Sequence, residues 1–136
     1  MKIENKLPPN FDQIVNSGMR PNRDATVFTY GDVIYNPSCR DIPPDLIKHE
    51  EKHSKQQGDN PSVWWDRYIK EPYFRIDQET EAYAAQYDHV CGNVKDRNYR
   101  NGFLLQLADI LSSPLYGSLI KKADATKMIK NKAKTK

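Results

Sequence analysis

The sequence predicts a mostly helical α+β domain, and three observations carry that reading. Only the stretch ATVFTYGDVIYNP has the β-branched and aromatic character of paired strands around a Gly-Asp turn. After it, segment upon segment opens on proline or asparagine and closes on glycine or proline, the punctuation of successive helices. A length of 136 residues with 38% hydrophobic content suits one compact domain, and no internal repeat is visible.

The elements follow in order. Residues 1–25, which include Pro8, Pro9 and Pro21, predict an irregular arm with at most a short helix near FDQIVNSG. Residues 26–30 and 33–35 predict a hairpin, stopped by Asn36-Pro37. Pro43 and Pro44 suit the first turn of a helix, where no amide donor is needed, and Gly58 suits its end. Asn60 as N-cap and Pro61 at the first position open the next helix, with Pro72 beyond its end. A longer helix with Asp77 as its cap is expected to run to about Lys95. The apolar run NGFLLQLADIL predicts a helix capped by Asn101, and Ser113-Pro114 predicts the start of another.

Charge is unevenly spread. The whole chain carries +3, but residues 121–136 hold seven lysines and one aspartate, a local +6, which leaves −3 for residues 1–120. The domain is therefore expected over 26–120, followed by a basic, flexible tail at 121–136. That tail lacks interleaved aromatics, so nucleic acid is not an expected partner. No apolar run approaches the ~20 residues of a membrane span, and MKIENKLPPNF lacks the apolar core of a signal peptide. A cytoplasmic chain is the expectation, with Cys39 and Cys91 as free thiols because they form no CxxC motif.

Function concentrates in DLIKHEEKHSKQQ. A helix advances about 100° per residue, so His49 and His53, four apart, share one face and can offer two imidazoles to one ion. Glu50 sits beside the first histidine, where its carboxylate reaches a water on the ion without ligating it, the H-E-x-x-H arrangement of zinc peptidases. The competing reading is a charged, solvated helix carrying a chance histidine pair. A catalytic zinc usually takes a third protein ligand, and QETEAYAAQY offers Glu79 and Glu81. With Tyr83 set at zero on a stripe through Ile76, Tyr87, Val90 and Val94, Glu79 falls at about −40° and Glu81 at about +160°. Glu79, on the inward face, is the better ligand, since a buried carboxylate needs a partner.

With HEEKH, Gln56 behind it and ETEAYAAQ downstream, the chain resembles the gluzincin-type zinc metallopeptidases, particularly the very small ones of bacteria and phages. The resemblance covers residues 26–90 and implies a minimal zincin-like domain. It implies zinc held by His49, His53 and Glu79, with Glu50 as general base in the hydrolysis of a peptide or protein substrate. It also implies that the hairpin edge lies beside that substrate. The family often places an acid or amide four residues after the glutamate ligand to support a zinc-bound histidine; Tyr83 stands there instead, so that support must come from elsewhere. Tyr73, Arg75, Tyr83 and His89 are all candidates for a second electrophile. The alternative function is a non-catalytic zinc-binding structural or interaction protein. Of Trp64 and Trp65, at least one is expected in the core; Arg75 is expected to pair with a carboxylate such as Glu79 or Glu50.

Overall fold

The computed structural model describes residues 1–23 and 25–135. It is a mostly helical α+β fold with one small sheet. The expected hairpin is present as β2 (Phe28–Tyr30) and β3 (Val33–Tyr35), paired antiparallel with Thr29 opposite Ile34. Gly31 supplies the turn with φ of 64°, a left-handed conformation that glycine adopts without steric cost. A third strand, β1 (Lys2–Glu4), runs parallel to β3 on its far side, giving the order β1-β3-β2. The N-terminal arm is thus built into the sheet, and its short helix α1 (Phe11–Asn16) buries Ile14.

Helix α2 (Pro44–Gln57) starts at a proline and stops at Gly58. In α3 (Pro61–Lys70) the Asn60 side chain accepts from the Val63 amide, as its sequence position predicts. The next helix, α4 (Pro72–Asn93), starts five residues before Asp77, which is not its cap. Pro72 belongs to α4 as its opening residue, because a proline past one helix can equally occupy the first turn of another. Likewise α5 (Arg97–Leu111) begins earlier than expected and is capped by Asp96, whose carboxylate accepts from the amides of Asn98 and Tyr99. Ser113-Pro114 opens only a single 3-10 turn, residues 114–116, which Gly117 ends at φ of 83°.

The expected flexible tail is corrected by α6 (Lys122–Lys132), which packs on α4 and α5. Ala125, Ile129 and Ala133 repeat every four residues, so one apolar stripe faces the core while the lysines point to water. One core joins these residues to Ile76, Tyr83, Leu104, Leu107 and Leu111. A second gathers Ile14, Phe28, Trp64, Trp65 and Tyr68. Both tryptophans are therefore internal. Cys39 is exposed and Cys91 buried, both as free thiols. No helix of the described residues is long and apolar enough to cross a membrane.

The side chain of Ile129 is fully buried. Its replacement by Ala should cost about 2–5 kcal/mol in urea unfolding, whereas Lys130→Ala should stay within ~0.5 kcal/mol. Equal, small effects would mean that the C-terminal helix does not contribute to the core.

Candidate metal centre

The inward face of α2 presents His49, Glu50, His53 and Gln57, all buried. Helix α4 packs across it more extensively than any other pair of elements in contact. This packing brings Glu79, only 4% exposed, against both imidazoles. Its Oε1 lies 3.0 Å from His49 Nε2 and 3.1 Å from His53 Nε2, and the two Nε2 atoms are 3.2 Å apart. A four-coordinate ion with bonds of about 2 Å holds its ligand atoms roughly 3.3 Å apart. The triangle has that size.

Hydrogen bonding fixes what these atoms are. Gln56 Nε2 donates to the Gln78 carbonyl at 2.9 Å, so its Oε1 faces His53 Nδ1 at 2.8 Å and accepts from it. Gln86 Nε2 donates to Asp45 Oδ2 at 2.8 Å, so its Oε1 accepts from His49 Nδ1 at 3.0 Å. Each imidazole therefore carries its hydrogen on Nδ1 and turns the bare Nε2 toward Glu79. Three acceptors facing one another in a buried site repel unless a cation sits among them. The donor set fits a metal ion. His49, Glu50 and His53 also offer ligand atoms within 4.8 Å of one another and could hold a metal ion. Glu50 Oε2 stands back at 3.9 Å from His49 Nε2, while its Oε1 accepts from the Thr29 hydroxyl at 2.9 Å.

Without a metal, a proton takes the cation's place. Burial opposes charge on His53, but the facing Glu79 carboxylate, then Glu50, outweigh it and hold the imidazolium up to about 9. Burial would also raise Glu79, yet the His53 charge and the contacts to both imidazoles hold it far below the usual carboxylate range. Glu50 is pushed up, chiefly by burial, with the histidines partly offsetting the shift.

The site opens into a cleft of about 790 Å³, walled by residues 18–22 and 25–29 on one side and by the segment around Tyr116 on the other. Tyr68 donates from its hydroxyl to Glu79 Oε2 at 2.5 Å, and Tyr83 lays its ring edge-on to His49 with centroids 4.5 Å apart. The hydroxyls of Tyr83 and Tyr116 are 3.1 Å apart. Of the four expected electrophiles, Tyr83 and Arg75 line the cleft. Tyr73 is 70% exposed, and His89 lines a different depression. Arg75 forms no ion pair with Glu79 or Glu50; it donates to the carbonyls of Tyr68 and Ile69 at the end of α3. Glu81 is half-buried and meets Gln56 at 3.5 Å, off the triangle.

The hairpin edge is corrected in part. Val27, Phe28 and Thr29 line the cleft, but the Thr29 carbonyl already accepts from Gln57 Nε2 at 2.8 Å and Trp65 Nε1 at 3.0 Å. The Gly31 amide donates to Gln57 Oε1 at 2.7 Å. An extended peptide cannot pair at those groups, which Gln57 clamps from the end of α2.

Sequence reading missed Gln86, Thr29, Tyr68 and Tyr116, and gave Gln56 no role at the histidine. Gln86 falls seven residues after Glu79, on the same helix face two turns on, which was the available signal. Thr29, Tyr68 and Tyr116 reach the site through tertiary packing alone. No protein-family model matches the chain, and no match to it is found among curated proteins or solved structures.

Two outcomes follow for metal binding. Gln86→Leu, which frees His49 to rotate, should weaken the affinity for a divalent cation, with zinc as the probe, about 10–100-fold by calorimetric titration; an unchanged affinity would remove the amide's orienting role. In the chelated protein, the raised His53 stabilises fully below its ordinary value of 6.5 and loses that contribution as pH climbs through about 9. Glu79, depressed, contributes above its ordinary 4.5 and loses its share as pH falls. Thermal midpoints of the chelated protein should therefore drop between pH 6.5 and 9, while the gain from added zinc widens as the competing proton leaves. A gain from zinc that is flat with pH would contradict the shared site.

Proposed function

We propose that the chain is a zinc-dependent peptidase, with zinc held by His49, His53 and Glu79 and with Glu50 as general base. The observation that supports it is the convergence of two imidazole Nε2 atoms and a carboxylate oxygen in the lining of an open cleft, with a second buried carboxylate, Glu50, 3.9 Å from His49. Two imidazoles and a carboxylate are a donor set that zinc accepts in catalytic sites, with one position left for water.

Zinc bound there supplies a Lewis acid and lowers the pKa of its water to roughly 7. Glu50 is held by Thr29 and raised by burial, so its carboxylate is a stronger base than a solvated glutamate. It takes the proton of the attacking water and passes it to the leaving amine. Tyr83 stays protonated because burial raises it, and its pairing with Tyr116 leaves one of the two phenol protons free. That proton is the donor for the oxyanion. Tyr68 restrains Glu79 from the oxygen that faces away from the histidines.

The non-catalytic alternative needs the same metal but asks Glu50 only to hold Thr29 or to ligate the ion, not to accept a proton. Glu50→Gln keeps the shape and the acceptor for Thr29 but cannot take a proton. It should reduce hydrolysis of a broad peptide library at least ~1,000-fold while retaining about one zinc per chain, and His49→Ala should lose the zinc. A native protein that binds zinc and cleaves nothing would establish the alternative.

A further inference from the structure

Helix α2 has a second face. Away from the metal centre, a groove of about 360 Å³ runs between α2, α4 and the end of α6. Lysines form both rims: Lys48, Lys52 and Lys55 from α2, and Lys132 and Lys134 from the C-terminal segment. Among the described residues, Lys48 alone of these five has a carboxylate at ion-pair distance, Glu51 at 3.2 Å. Two further acids line the groove and accept hydrogen bonds there. Glu81 meets the Gln56 amide, and Asp88 accepts from the backbone amides of Lys134 and Thr135, each at 2.9 Å. The Asp88 contacts tie the chain end down, so the second rim is held in place.

We propose that this groove docks the phosphodiester backbone of a duplex nucleic acid, without regard to base sequence. Lys48 and Lys55 stand seven residues apart, so α2 carries a row of lysines about 10 Å long that can follow the phosphates of one strand. No Phe, Tyr or Trp lines the groove, so a single strand finds no stacking platform. Its walls are helices with a floor of Ala84 and Ala85, so a peptide main chain finds no strand edge to pair with. What remains is an excess of lysines, five against the three acids Glu51, Glu81 and Asp88, which a phosphate backbone complements. The composition of the C-terminal segment alone argues against nucleic acid; the fold adds the α2 lysines and the Asp88 anchor.

Fluorescence anisotropy of a short labelled duplex with the full chain, from about 50 to 200 mM salt, tests the groove. Four to five neutralised phosphates give a log–log salt slope of about −4. The variant K52A/K55A/K132A/K134A should bind at least ~10-fold more weakly at the lowest salt, with a slope falling toward zero. The double variants K52A/K55A and K132A/K134A should each lose about half the slope, and either serves if the quadruple variant fails to fold. The variant K2A/K6A/K70A/K122A removes the same charge from ion-paired lysines elsewhere, and it should keep wild-type affinity within ~3-fold. Equal weakening by both quadruple variants, absence of salt-dependent binding, or tighter binding of polyglutamate or of a single strand would each overturn the proposal. Zinc content and peptide cleavage do not enter these readouts.

Discussion

Three electron-pair donors aimed at one another among buried side chains form an arrangement that survives only if positive charge stands between them. In this protein the two Nε2 atoms of His49 and His53 and Oε1 of Glu79 form that arrangement, and much of the surrounding polar structure serves to keep it. Gln56 and Gln86 hold the imidazoles from behind, Asp45 holds Gln86, and Tyr68 holds the far oxygen of Glu79.

How much of this was legible depends on the range over which each signal acts. The histidine pair and the preference for Glu79 over Glu81 are consequences of helical period, and period is written locally. The hairpin announces itself for the same reason, through Gly31-Asp32 between β-forming residues. Helix starts were less legible, because Pro72 and Asp96 compete with Asp77 and Asn101 for the same role and only packing decides. The strand at Lys2–Glu4 has no local signature at all; three residues become a strand because Ile34 and its neighbours offer an edge. The C-terminal segment shows the opposite failure. Its apolar stripe was present at four-residue spacing, but lysine content drew the reading toward composition instead of period.

The supporting shell of the centre was only partly hidden. Gln56 lies three residues after His53 and Gln86 seven after Glu79, so both could be placed on the correct face by counting turns. The amide expected four residues after the ligand is replaced by one three residues farther on, and Tyr83, left in the earlier position, packs against His49 instead. Thr29, Tyr68 and Tyr116 belong to separate elements and had no sequence spacing to betray them.

His49 leans on Tyr83, which belongs to the core of α4, α5 and α6, while His53 leans on Trp64, part of the core beneath the sheet and α3. The centre is therefore a fastener driven through two separately packed lobes, at the seam where the cleft opens. Any turn of one imidazole against the other is therefore also a shift of one core against the other, so ring geometry and cleft width change together.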